Sequence, residues 1–335
     1  MANHLLEKTE LDDKWDDLVT KSVNGTVFCT SQYLKNIDAS VAPYYYRRNK
    51  ELRAAVLLIE TQERLDTCLH DFVIYNGVIF APPQNKQNRS QIISEQFDIS
   101  SFMAEELARI YKSVNMQLHP TIIDIRPFLW FNYGADGPKY TLDLRYTAYL
   151  NIEDFSSAKK LEDISTYLQA SNARRQEIRY AIRDKVVTKE EFNPDLFVDF
   201  YNETMKRQDI VIEEDVLNQM NFLITNLLKA KIGRMFVSYL SSGEPGSMAF
   251  FVMDSKRGYY LFGANDPALR DSHTGTAVLW DAFYILSREG IKEIDMEGVN
   301  SPYRGWFKLS FGGDLRPYYW ITKSDSRRSV DETDY

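Results

Sequence analysis

Three strand-like runs in a tight meander, followed at once by a helix and a fourth strand, constrain this chain more than any other feature. The runs cover 234–240, 247–254 and 258–264, separated by Ser242-Gly243-Glu244-Pro245-Gly246 and by 255–257. Glycine and proline clusters between such runs mark turns. A helix is predicted over 274–288, with Val278, Ala282, Ile285 and Leu286 on its inner face and Gly290 ending it. A strand at 292–296 closes a strand–helix–strand crossover, and 318–321 supplies a last strand. Such a layout is α+β, a mixed and mostly antiparallel sheet flanked by helices.

Upstream, Leu161, Ile164, Leu168, Ile178 and Ile182 recur at helical spacing, with a break at Ser171-Asn172. Asn193-Pro194 reads as an N-cap with proline at the first helical position, and a further helix spans 216–228. In the first half, helices are expected at 11–21, from Ser31, and over 99–114, with strands at 54–60, 73–80 and 121–125. Gly134, Gly137 and Pro138 mark the sharpest boundary. A chain of 335 residues is expected to hold two domains, 1–148 and 149–323, with a disordered polar tail at 324–335.

A net charge of −8 argues against nucleic-acid binding through a global positive field. Two cysteines are too few for a disulfide framework, the start has no signal-peptide layout, and no apolar run is long enough to span a bilayer, so a cytoplasmic location is expected. The four histidines are too scattered for a metal site, and there is no nucleophile elbow, Walker loop or dinucleotide fingerprint.

The junction between the third strand and the helix is the first candidate site. Gly263, Ala264 and Asn265 end the strand, and His273, Thr274, Gly275, Thr276 and Ala277 open the helix. A helix start has unpaired N–H groups and partial positive charge, and small residues let a phosphate approach. The plainer alternative is that Thr274 merely caps the helix. Arg175, Arg179 and Arg183 share one helix face, where like charges repel by a few tenths of a kcal/mol per pair unless an anion lies opposite. Glu293, Asp295 and Glu297 alternate along the next strand, and Glu297 is the candidate general base for an incoming ammonium. Tyr303 and Arg304 are read as part of a mobile loop that closes over substrate.

The segment from Asp295 to Gly313, with Phe307-Lys308-Leu309-Ser310-Phe311 inside it, resembles the Fem-type transferases of the GNAT superfamily. The resemblance runs over nearly the whole chain and is weakest between residues 60 and 140. It implies tandem GNAT-like folds, the N-terminal one degenerate, and an acyltransferase. Ser272-x-x-Gly275-x-Ala277 matches the last two signature positions of the GNAT pyrophosphate loop, but not the first. The resemblance also implies that Lys308 holds the donor and polarises its carbonyl, with Phe307 beside it. It implies too that Lys35 and Arg207 grip a diphosphate of the acceptor. Two donors stay open. Acyl-CoA would acylate an amine, such as an amino sugar in cell-envelope polysaccharide synthesis. Aminoacyl-tRNA would make the chain a peptidyltransferase acting on a peptidoglycan precursor. A catalytically inactive binding protein is the third reading.

Overall fold

The computed structural model describes residues 3–324, except residues 208 and 270 and the side chains of Pro267 and Tyr303. The tail expected at 324–335 therefore lies outside the described residues beyond Ser324. The chain divides into two compact units, Met1–Arg145 with Pro317–Tyr335, and Tyr146–Arg316.

The first unit contains β1 (His4–Lys8), α1 (Asp13–Lys21), α2 (Ser31–Leu34), β2 (Ser40–Arg48), β3 (Glu51–Glu60), β4 (Thr67–Cys68), β5 (Gly77–Phe80), α3 (Arg89–Ile110), β6 (Ser113–Gln117) and α4 (Arg126–Leu129). Its sheet runs β1-β2-β3-β4, with β5 also on β3. Asn49 and Lys50, both left-handed at φ 51° and 73°, form the two-residue turn that joins β2 to β3. Helix α3 starts ten residues before the expected position, behind a reciprocal Asn88/Gln91 capping box. The strand expected at 121–125 is not formed. The real one is β6, where Val114 and Met116 are buried between more exposed polar neighbours, too weak an alternation to stand out. The chain returns to this unit near its C-terminus, where Trp320–Ser324 pair antiparallel with β6. Chain order alone had placed that strand with the second domain.

The boundary strand β7 (Tyr140–Asn151) leads into the second unit. There follow α5 (Ser165–Gln169), α6 (Asn172–Arg183), β8 (Val187–Glu190), α7 (Pro194–Lys206), α8 (Glu214–Lys229), β9 (Gly233–Tyr239), β10 (Pro245–Met253), β11 (Gly258–Asn265), α9 (Thr274–Arg288), β12 (Glu293–Asp295), α10 (Pro302–Leu309) and the boundary strand β13 (Asp314–Ser324). The sheet order is β7-β12-β11-β10-β9-β8. Every pairing is antiparallel except β11 with β12. Strand alternation buries both faces. Phe251 of β10 packs at 6.3 Å on Phe283 of α9, while its neighbour Phe250 packs at 6.4 Å on Phe197 of α7. An antiparallel meander, a helix and a further strand recur in both units, so the chain has a tandem, mixed α+β fold.

Candidate active site

The parallel pair β11/β12 is held at two positions only, Gly258 with Ile294 and Tyr259 with Asp295, while β11 continues to Asn265. The strands then part. Where they part, β11 carries a bulge: Phe250 faces Phe262 and Phe251 faces Tyr260, leaving Leu261 as the extra residue. A bulge shifts the side-chain phase by one. It brings Tyr260 and Gly263 onto one face, and a Cβ on Gly263 would meet the Tyr260 hydroxyl at 1.9 Å. Glycine is required here by close approach rather than by its φ. Tyr260 was not singled out from sequence, because the bulge that aims it has no sequence signature in an apolar run.

At the opening of α9, His273 occupies the N-cap position at φ 63° and makes no side-chain cap. Its Nδ1 lies 2.7 Å from Glu177 Oε2 and its Nε2 3.7 Å from Asp184, both on α6 or its end. The Thr274 hydroxyl is buried and pairs at 2.9 Å with both Ser247 and Ser272. Thr274 therefore does not cap the helix, and the plainer sequence reading gives way. A Cβ on Gly275 would stand 3.0 Å from Asn265 Oδ1, which brings the end of β11 against the helix start. Ala264 and Ala277 are buried, so Ala264 offers backbone only.

Arg174 links this helix end to the C-terminal motif. Its Nε donates to Ser310 Oγ at 2.9 Å and its Nη1 donates to Thr276 Oγ1. Its guanidinium lies 4.4 Å from the Phe307 ring centre and 4.5 Å from that of Phe311. Burial pushes its pKa down to about 10. Gly312, at φ 86°, allows the motif to seat on the backbone of Gln169, which a Cβ would approach to 2.6 Å.

Lys308 is the next residue after Phe307. Its Nζ donates to the carbonyl of Glu297 at 3.1 Å and lies 5.0 Å from the Tyr260 ring centre. Glu297 falls just beyond β12, not on it as the alternation implied, and takes a left-handed φ of 48°. Strain of that kind costs about 1–3 kcal/mol and gathers at functional sites. The three acids have different fates. Glu293 pairs with Arg257 at 3.3 Å and with Arg316 at 3.5 Å. Asp295 accepts from the Thr147 hydroxyl and, at 2.9 Å, from the Glu297 N–H. Glu297 is 3% exposed, and its Oε1 has no hydrogen-bond partner among the described residues. Burial, reinforced by Asp295, raises its pKa well above the carboxylate range, and burial pushes Lys308 down to about 8.

The other predicted residues are less engaged. Tyr303 and Arg304 lie on α10, not on a loop. The Tyr303 side chain is outside the described set, and Arg304 Nε donates to Ser301 Oγ at 3.2 Å. Arg175 donates to Asn172, Arg179 to the Tyr167 hydroxyl at 2.8 Å, and Arg183 pairs with Asp184 at 2.7 Å. Exposed Arg207 ends α7, and exposed Lys35 ends α2 in the first unit. Among the described residues no cluster of histidine, cysteine, aspartate and glutamate could hold a metal, and no helix is long and apolar enough to cross a membrane.

A splayed parallel strand pair, a helix opening beside it and a buried carboxylate near Lys308 make up the candidate site. Residues 169–305 match the sequence family described as acetyltransferase (GNAT) domain. FemX is similar in structure with a TM-score of 0.64 at 12% identity, over 93% of this chain and 96% of that one. A tandem GNAT protein from the clavulanic acid biosynthesis pathway gives a TM-score of 0.54 at 10% identity, over 98% and 100%. L-PGS from Bacillus licheniformis gives 0.51 at 13%, over 96% and 94%. These likenesses concern the fold. No curated protein sequence matches the chain.

Proposed function

We propose that the second unit transfers an acyl group from acyl-CoA to a primary amine, and that the acceptor is an amino sugar of cell-envelope polysaccharide synthesis. The observation that carries the reading is the buried, unpartnered carboxylate oxygen of Glu297 beside Lys308, next to the parting of β11 and β12. The donor's pyrophosphate would lie at the uncapped start of α9, near Gly275 and Thr276, where N–H groups and the helix dipole favour an anion. Its thioester would run along the end of β11, towards Gly263 and Ala264. An amine arrives as ammonium and must lose a proton before it attacks. Glu297, raised by burial, takes that proton. The neutral nitrogen bonds to the thioester carbon, and the Lys308 ammonium holds the charge that develops on the carbonyl oxygen. The C–S bond then breaks, the thiolate leaves with the second nitrogen proton, and the amide is released. The amino-sugar acceptor rests on the family resemblance of the Phe307–Gly313 stretch, and Arg207 and Arg304 are its candidate contacts in this unit.

Thiol release from acetyl-CoA, measured against a panel of nucleotide-linked amino sugars and simple amines, tests the reading. Amine-dependent release that Glu297→Gln reduces at least a hundredfold is expected. No release from any acyl-CoA, together with transfer from charged tRNA, would replace the donor. Binding can be checked by thermal unfolding, where ligand at a hundredfold its Kd stabilises by about 2.7 kcal/mol.

A further inference from the structure

Four arginines of the second unit are paired with carboxylates. Arg234 pairs with Glu190 and Glu289, Arg257 and Arg316 with Glu293, and Arg183 with Asp184. Arg174 differs. No carboxylate lies within 4.0 Å of its guanidinium among the described residues, and Glu177, one turn further along α6, is engaged by His273 Nδ1 at 2.7 Å. It contacts two neutral hydroxyls and two aromatic faces. A half-buried guanidinium without a counter-ion is costly, and burial presses its pKa down to about 10. The hydroxyls and rings also fix its direction. Nε is held by Ser310, Nη1 by Thr276 in the first turn of α9, and the plane is gripped between Phe307 and Phe311. A rigid, forked, positively charged group is thereby fixed at the helix end whose N-cap residue, His273, does not cap it with its side chain.

We propose that Arg174 is a binding residue for the donor's pyrophosphate, a guanidinium supplied from α6 to the start of α9 and oriented by the Phe307–Phe311 pair. This rests on the acyl-CoA reading and adds to it the residue that counters the phosphate charge. The same arrangement gives Phe307 a role: its ring holds the guanidinium rather than the acyl chain. Arg175, Arg179 and Arg183 are not needed for it.

The test compares two probes, acetyl-CoA and acetyl-pantetheine, which carries the thioester but no pyrophosphate or nucleotide. Charged hydrogen bonds contribute about 1.5–3 kcal/mol, and 1.4 kcal/mol is tenfold. Arg174→Met, which keeps the apolar contact with both rings, is therefore expected to weaken acetyl-CoA binding about ten- to a hundredfold. The KM for acetyl-pantetheine should stay within twofold. Arg174→Lys keeps the charge without the fork and is expected to lose severalfold less. If Arg174→Met does not fold, the lysine variant alone decides, since acetyl-CoA affinity equal to wild type overturns the proposal. Equal loss on both probes would make Arg174 a packing residue and also overturn it, leaving the donor reading intact. If the wild-type protein binds no acyl-CoA, the donor reading fails and takes this inference with it.

Discussion

Lys308 Nζ donates to the backbone carbonyl of Glu297 at 3.1 Å, so the ammonium is held by the main chain of the residue whose carboxylate favours its charged form. That contact ties α10 to the left-handed turn after β12, where a Cβ on Gly298 would stand 3.7 Å from the same nitrogen. The carboxylate is left with one oxygen unpaired. The pair is thus built from a fixed cation and an acid with unspent hydrogen-bonding capacity, an arrangement suited to taking up a proton.

The first prediction is a bell-shaped dependence of kcat/KM on pH. Glu297 must be ionised to act as base, and burial raises its pKa, so the acid limb lies well above the pH at which an ordinary glutamate titrates. Lys308 must be charged, and its pKa is pushed down to about 8, so activity falls as pH rises through about 8. Lys308→Met should lower kcat by about a hundredfold or more and remove the alkaline limb. Initial rates across pH 5–10 measure both. An alkaline limb unchanged in Lys308→Met would dissociate Lys308 from the chemistry.

The second prediction separates function from stability. Glu297 has a raised folded pKa, so between about 4.5, its unfolded value, and the folded value the native state holds the extra proton. Stability contributed by this group falls as pH rises through that window. Lys308 has a lowered folded pKa, so the unfolded chain holds the extra proton between about 8 and 10.5, and stability rises with pH there. Glu297→Gln abolishes the first effect. It is expected to raise stability at pH 7–8 by about 1–3 kcal/mol while suppressing activity, because it removes a buried charge with an unmet acceptor. Thermal unfolding at pH 5 and pH 8 reads the change. A destabilised Glu297→Gln would mark the residue as structural.

Much of the second unit was legible in the sequence because its turns are punctuated. Gly243 lies in the turn between β9 and β10, Pro245 and Gly246 open β10, and Gly290 follows α9, so the meander and crossover follow from local rules. Helix α10 was not legible. Gly305 sits in its middle, where a glycine normally signals a loop, yet a Cβ there would lie 2.4 Å from the Val299 carbonyl. The glycine is set by close approach and is compatible with helix. Trp306 on the same helix is 75% exposed. The arginine stripe shows a related limit of sequence spacing. Four-residue spacing identifies the residues that share a face, but not which face turns inward, and Arg174, one position out of phase, is the one that reaches α9. The pairing of Lys308 with Glu297 depends on backbone turns that no spacing rule encodes.

The bulge in β11 leads to a third prediction. A Cβ on Gly263 would lie 1.9 Å from the Tyr260 hydroxyl and 2.9 Å from its Cζ, and the Tyr260 ring stands 5.0 Å from Lys308 Nζ. Gly263→Ala must therefore displace the ring and disturb the ammonium. A stability loss of about 1–3 kcal/mol, typical of overpacking, and a marked fall in kcat are expected. In a Tyr260→Leu background the obstruction is gone, so the same substitution should cost less than half as much. A double-mutant cycle on unfolding free energy measures the coupling, and additive costs would show that the two residues do not press on each other.

The two units differ most at the helix that follows each meander, and the fourth prediction concerns that difference. In the first unit the start of α3 is closed: the Asn88 side chain accepts from the Gln91 N–H at 3.0 Å, and Gln91 Oε1 accepts from the Asn88 N–H at 2.9 Å. Two of its opening N–H donors are occupied, which leaves less for an anion. In the second unit the start of α9 has no side-chain cap, and Thr274 is drawn aside by two serines. The donor should accordingly bind one helix end only. Asn88→Ala is expected to cost about 0.5–2 kcal/mol of stability, as loss of an N-cap does, without changing the KM for acetyl-CoA. Gly275→Val, which puts bulk where a Cβ already stands 3.0 Å from Asn265 Oδ1, should raise that KM at least tenfold. Calorimetric titration with acetyl-CoA should give one site per chain, retained by Asn88→Ala and weakened by Gly275→Val. A second site lost on altering Asn88 would mean that the capped helix also takes the donor, and that the asymmetry between the units does not govern where the donor goes.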